Sequence, residues 1–153
     1  MKLSTKATYG TRAIFDIAVN SAKGPVSIKD ISKRQDISVA YLEQLLNKLK
    51  KKGFLKSTRG PKGGYMLAKN PKDIRMGDVV RTLEGSVYPV DCVDGSDSGC
   101  SRVEDCAMRI LWKRLADSMK KVLDSTTLKD LKAEAERKAK VEGKDYPEYE
   151  VHI

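Results

Sequence analysis

Between Ser27 and Lys52 the chain carries two serine-led helical segments with only Gln35-Asp36-Ile37 between them, and that spacing restricts the fold more than any other stretch. Ser27-Ile28-Lys29-Asp30 has the form of a capping box, with Asp30 standing where Glu or Gln is usual, and opens a short helix to about Arg34. Ser38 is the N-cap of the longer helix SVAYLEQLLNKLKKK, in which Val39, Leu42, Leu45, Leu46 and Leu49 recur at helical spacing and form one stripe facing a core. Tyr41, Gln44 and Lys48 fall on the other side. A short helix, a three-residue turn and a longer helix with a polar outer face make a helix-turn-helix, whose second helix can enter a DNA groove. An ordinary amphipathic helix with a solvated face reads the same over these residues, so the flanks decide.

On the amino-terminal side, Ser4 or Thr5 caps a helix running to about Ser21, with Tyr9, Ala13, Ile14, Ile17 and Ala18 on its inner face, and Gly24-Pro25 ends it. On the other side, Gly53 closes the long helix, and Phe54–Ser57 and Tyr65–Ala68 read as two paired strands. Their connection, Thr58-Arg59-Gly60-Pro61-Lys62-Gly63-Gly64, is basic and glycine-rich, so the backbone can approach a phosphate and Arg59 can enter a minor groove. It is not a nucleotide-binding P-loop, because no Gly-Lys-Ser/Thr follows and no helix succeeds the first strand. Pro71 to Arg75 reads as a linker and Met76 to Leu83 as a short helix packed through Val79, Val80 and Leu83.

Charge points the same way. Residues 1 to 69 carry 15 Lys and Arg against 4 Asp and Glu, a surplus of +11, while residues 70 to 153 carry 15 against 17, or −2. A basic amino-terminal half fits a polyanion, and nucleic acid stands ahead of a membrane surface because no lipid-inserting face is present. No apolar run reaches membrane-spanning length and MKLSTKATYG has no apolar signal core, so the expectation is a cytoplasmic protein without a membrane partner.

Gly85 to Gly99 shows no helical period. Ser101-Arg102-Val103-Glu104 has the form of a capping box for a helix from about Val103 to Leu123, whose Ala107, Ile110, Leu111, Trp112, Leu115, Met119, Val122 and Leu123 give a wide apolar surface. A helix that long offers more apolar face than a domain of this size needs to cover itself, which predicts a homodimer interface. Thr127 caps a last helix to about Val141, and residues 142–153 read as a flexible tail.

All three cysteines, Cys92, Cys100 and Cys106, lie in and just after this loop. An odd, clustered set of cysteines in a cytosolic chain favours a metal or redox site over a structural disulfide. A closed zinc site needs a fourth Cys or His, and the single histidine, His152, is in the tail. An iron–sulfur cluster, a thiol redox sensor, zinc and no function all remain open on spacing alone. Enzyme function is not expected: no Cys-x-x-Cys is present and His152 is a poor partner for a nucleophile.

Taken together, Leu3-Ser4-Thr5-Lys6, the Ile37-Ser38 and Tyr41-Leu42-Glu43-Gln44 pairings, Arg59-Gly60-Pro61 with Gly63-Gly64-Tyr65, the three cysteines and Leu111-Trp112 resemble the Rrf2 family of winged helix-turn-helix regulators, and within it the iron–sulfur cluster regulators, from Met1 to about Leu128. The resemblance implies a mainly α fold: a winged helix-turn-helix over 1–84 with a small β-hairpin wing, a cysteine loop over 85–106, and a long dimerisation helix with a C-terminal helix over 103–141. It implies a homodimer, mainly a repressor, on a partly palindromic double-stranded operator. The candidate DNA contacts are Ser38, Ala40, Tyr41, Glu43, Gln44 and Lys48 in the major groove and Arg59 and Gly60 on the wing. Glu43 suits operator discrimination, since a carboxylate accepts from cytosine N4 and repels phosphate.

The resemblance also implies that Cys92, Cys100 and Cys106 hold an iron–sulfur cluster, 2Fe–2S most often and 4Fe–4S in some relatives, whose occupancy governs promoters that include those of cluster assembly genes. The chain departs from that pattern at Arg109, where a histidine ligand is common, and at Thr8, where some members have an aspartate. Arginine stays protonated and does not ordinarily ligate iron. A regulator of the same class answering to thiol redox state, cysteine supply, iron or nitric oxide is the alternative.

Overall fold

The computed structural model describes residues 2–95 and 99–145, so the expected tail from position 146 onward, with His152, lies outside the described residues. Six helices and one hairpin follow in the order α1 (Thr5–Asn20), α2 (Ile28–Gln35), α3 (Val39–Lys51), β1 (Leu55–Thr58), β2 (Gly64–Leu67), α4 (Met76–Glu84), α5 (Ala107–Ser125) and α6 (Leu128–Val141). This is the mainly α, winged helix-turn-helix architecture expected. Among the described residues no helix is long and apolar enough to cross a membrane.

The core collects residues from every helix but α5: Ala13, Ile14 and Ile17 of α1, Ile31 of α2, Leu42, Leu45, Leu46 and Leu49 of α3, Ile74, Val79 and Leu83 around α4, and Leu128 of α6. Local caps set the helix starts. Ser27 Oγ accepts from the Asp30 N–H at 3.1 Å and Ser38 Oγ from the Tyr41 N–H at 3.3 Å. The full reciprocal box forms at Thr127, whose N–H donates to Asp130 Oδ2 at 2.8 Å while its Oγ1 accepts from the Asp130 N–H at 3.2 Å.

The turn between α2 and α3 is made by Asp36, which adopts the left-handed conformation (φ 53°) that its short polar side chain tolerates. Ser32 Oγ donates to the Ile37 carbonyl at 2.6 Å and closes it. The two strands pair antiparallel with Leu55 opposite Leu67 and Thr58 opposite Gly64, one residue displaced from the expected ranges. Val26 joins this hairpin through two hydrogen bonds with Tyr65 (2.9 and 2.8 Å), so the wing's base is tied to the segment entering α2.

Three expectations need correction. Pro71 to Arg75 is a docking strip, not a free linker: Pro71–Asp73 form a 3-10 turn, Leu128 N–H donates to the Ile74 carbonyl at 2.9 Å, and Met76 N–H to the Thr126 carbonyl at 2.9 Å. The cysteine loop contains a 3-10 turn at Asp91–Val93. The long helix begins at Ala107, with Cys106 as N-cap, rather than at Val103, and residues 101–105 are turns in which the Asp105 N–H donates to the Arg102 carbonyl.

Candidate DNA-reading face and cysteine loop

The polar side of α3 stands clear of the core. Ser38, Ala40, Glu43, Gln44 and Lys48 are exposed, as are Arg59 and Gly60 at the wing tip. Asn47 and Lys51, one turn from Gln44 and Lys48, are exposed on the same stripe and were not singled out in the sequence, although i+3 and i+7 spacing from Gln44 marks them. The first N–H groups of α3 have no helical acceptor, and with the Ser38 hydroxyl they form the kind of terminus on which a phosphate sits.

Tyr41 departs from the outer-face expectation. It is half-buried, with its ring edge-on to Tyr9 (centroids 6.0 Å apart, 76°) and its hydroxyl 3.1 Å from Thr5 Oγ1. It therefore stands on the boundary between core and reading face.

The wing is built to approach another surface closely. Gly60 takes a positive φ of 109°, and the Gly63 N–H donates to its carbonyl at 3.0 Å, turning the tip. A Cβ on Gly63 would lie 2.9 Å from the Arg59 carbonyl carbon, so only glycine fits. Lys56, Arg59 and Lys62 are exposed along it. Lys50 Nζ donates to Ser57 Oγ at 2.6 Å and couples the last turn of α3 to β1. Burial first, and the charge of Glu43 second, push the Tyr65 hydroxyl above the ordinary phenol range, which puts Glu43 on the wing side of α3.

Of the three cysteines, Cys92 and Cys106 are half-buried and Cys100 is exposed. Arg109 Nε donates to the Cys92 carbonyl at 3.1 Å, so this arginine pins the 91–93 turn to the first turn of α5. Three thiols suit an iron–sulfur cluster as donor chemistry. Their placement does not: among the described residues no three Cys, His, Asp or Glu side chains gather where they could share a metal ion.

Beyond the loop, α5 packs on α4 and on the 91–93 turn, and only Ala116 of this helix is buried. Met108, Leu111 and Val122 are 57, 52 and 64 % exposed and, with half-exposed Leu115, line one side at alternating three- and four-residue spacing once Ser118 is counted.

A recognition helix with a bare polar face, flanked by a basic wing, defines a winged helix-turn-helix transcriptional regulator. The chain belongs to the Rrf2 family: a family model described as an iron-dependent transcriptional regulator matches residues 3–134. It is similar to "Protein rrf2" of Nitratidesulfovibrio vulgaris, 47% identical over 135 residues that cover 88% of this chain and 89% of that one. Among solved structures it is similar to CymR, the global cysteine regulator of B. subtilis, with TM-score 0.72 and 40% identity, covering 86% of this chain and 95% of that one. It is equally similar to T. potens IscR, with TM-score 0.73 and 41% identity over 88% of each chain.

Proposed function

We propose that the chain is a homodimeric DNA-binding repressor whose sensing element is the loop carrying Cys92, Cys100 and Cys106. The observation that carries the DNA reading is the exposed row Ala40, Gln44, Lys48 beside the basic wing tip. Ser38, Tyr41, Glu43, Arg59 and Gly60 complete the contact set, on a partly palindromic operator with half-sites about one helical turn apart. Residues 1–84 form the reading head, 85–106 the sensing loop and 103–141 the dimer unit. The dimer reading rests on α5: Met108, Leu111, Leu115 and Val122 follow the a/d rhythm of a two-helix seam, and Met108, Leu111 and Val122 are each more than half exposed.

The loop's ligand is proposed to be an iron–sulfur cluster, 2Fe–2S ahead of 4Fe–4S, making the protein a reporter of cluster status that controls cluster assembly genes. Three cysteines confined to residues 92–106 and the likeness to a solved IscR support it. A second reading, response to thiol oxidation or cysteine supply, is favoured by the exposed Cys100, by the lack of a three-donor metal group among the described residues and by the likeness to a structure described as a cysteine regulator.

Purification without oxygen, with iron and sulfide counts and visible absorption on wild type and on Cys-to-Ala variants, separates the two. Coloured protein with iron and sulfide that is lost on removing each cysteine supports the cluster. Colourless protein whose operator affinity changes on thiol oxidation supports the second reading. Absence of binding to any enriched duplex, in either state, defeats the regulator reading itself.

A further inference from the structure

Glu84 is the last residue of α4, where a negative charge opposes that helix's own dipole. Its side chain is turned instead to the start of α1, where the dipole favours an anion. Glu84 Oε1 accepts from the Ser4 N–H at 3.3 Å, and Oε2 accepts from the Ser4 hydroxyl. Ser4 is the N-cap of α1 and makes no capping bond to its own helix; the carboxylate from 80 residues away accepts from the N-cap's own N–H, the bond that a Glu at N3 makes in a capping box.

The next residue carries the contact onward. Thr5 Oγ1 meets the Tyr41 hydroxyl at 3.1 Å, and Tyr9, one turn along α1, packs edge-on against the Tyr41 ring. The guanidinium of Arg12 lies 5.6 Å from the Tyr9 ring centroid and donates to the Gln35 carbonyl at 2.6 Å, fixing α1 against the end of α2. Tyr41 is thus held at its tip and along its ring by α1, whose first residues are set by Glu84. It stands in the first turn of α3, whose N-terminal residues are the ones a recognition helix turns to base edges.

We propose that Glu84 is a positioning residue for DNA reading, setting the pose of Tyr41 at the head of α3 through Ser4 and Thr5. The proposal rests on the DNA-binding reading above. No base contact is assigned to Glu84 itself. Its effect belongs to sequence discrimination and not to general affinity, because the basic residues that meet phosphates are untouched by it.

The test uses a duplex enriched from a random-sequence library by the full-length wild-type protein, and an unrelated duplex of equal length. Glu84→Ala and Thr5→Val are each expected to weaken the enriched duplex by about 3- to 10-fold, the range of one lost hydrogen bond, and to leave the unrelated duplex unchanged. In a Tyr41→Phe background the effect of both is expected to vanish, since the hydroxyl they act through is gone. Glu84→Gln, which keeps an oxygen for the Ser4 hydroxyl, is expected to lose less, and it carries the cycle if Glu84→Ala melts near room temperature.

Equal losses on the two duplexes, or losses that persist unchanged in the Tyr41→Phe background, overturn the proposal. Should wild type enrich no duplex, the DNA-binding reading has failed on its own. The positioning claim is then read from the ring resonances of Tyr41 in isotope-labelled protein, which are expected to shift in Glu84→Ala. An unmoved ring overturns it.

Discussion

Asp16 and Arg34 meet across the contact of α1 with α2 as a two-pronged ion pair, Arg34 Nη2 lying 2.7 Å from Asp16 Oδ1 and Nε 2.9 Å from Oδ2. Gln35 Nε2 adds a third bond to the same carboxylate at 2.9 Å, and only 1 % of the Asp16 side chain is exposed. The hydrogen bond to Asp16 is the main cause that holds the Arg34 guanidinium above its ordinary range. Asp16→Ala strands Arg34 and Gln35 without their acceptor and frees the end of α2. Because Arg34 is a third exposed, the expected loss is about 2–3 kcal/mol, below the range for a fully buried pair, read as a drop in the thermal midpoint.

Gly10 lies where α1 crosses α4. A Cβ there would stand 2.5 and 2.7 Å from the two Leu83 methyls and 3.1 Å from its Cγ, and Leu83 is buried in the core. Overpacking of this kind costs about 1–3 kcal/mol, against about 1 kcal/mol gained by replacing a helical glycine with alanine. Gly10→Ala is therefore expected to be destabilising by up to about 2 kcal/mol in denaturant unfolding, and Gly10→Ala combined with Leu83→Val to recover part of it.

Arg59 is fully offered at the wing tip, with no ion pair or hydrogen bond holding it among the described residues. If it meets DNA phosphate, Arg59→Ala lowers the slope of log affinity against log salt by about 0.9 and weakens all duplexes alike. Discrimination lost with an unchanged salt slope would assign Arg59 to a base instead.

Asp130 accepts from the Thr127 N–H and hydroxyl, and those bonds, in that order, hold its carboxyl below the ordinary carboxylate range. A folded value below the unfolded one means stability that is present above the unfolded value and is lost as pH falls through the folded one. The first turn of α6 is thus expected to loosen below about pH 4, seen as faster amide exchange at Leu128–Leu131, and Asp130→Asn is expected to show the loosened turn at neutral pH as well.

The helices around the turn were legible because their information is local. Ser27 and Ser38 announce the starts of α2 and α3, and the Leu42, Leu45, Leu46 and Leu49 stripe gives the buried side. What escaped depended on residues far apart in the chain. Periodicity gave Tyr41 an angle on α3 but not its neighbours Thr5 and Tyr9, and no local pattern links Glu84 to Ser4.

The start of α5 was misplaced for a different reason. Ser101 and Glu104 have the right spacing for a box, yet residues 101–105 hold Val103 as their only large apolar side chain, and a turn of helix there would bury almost nothing. Cysteine spacing named the three thiols but could not say whether the loop brings them together. In the described residues it does not.

The bonds between Val26 and Tyr65 carry a wider consequence. They tie the base of the wing to the segment entering α2, as Lys50 ties it to α3, so the base and the helix are held to one another. In the proposed dimer, a change in the span between two such heads would then fall outside this clamped unit, and the nearest seam is that of α4 with α5, bridged by Arg81 and Asp124 at 2.5 Å.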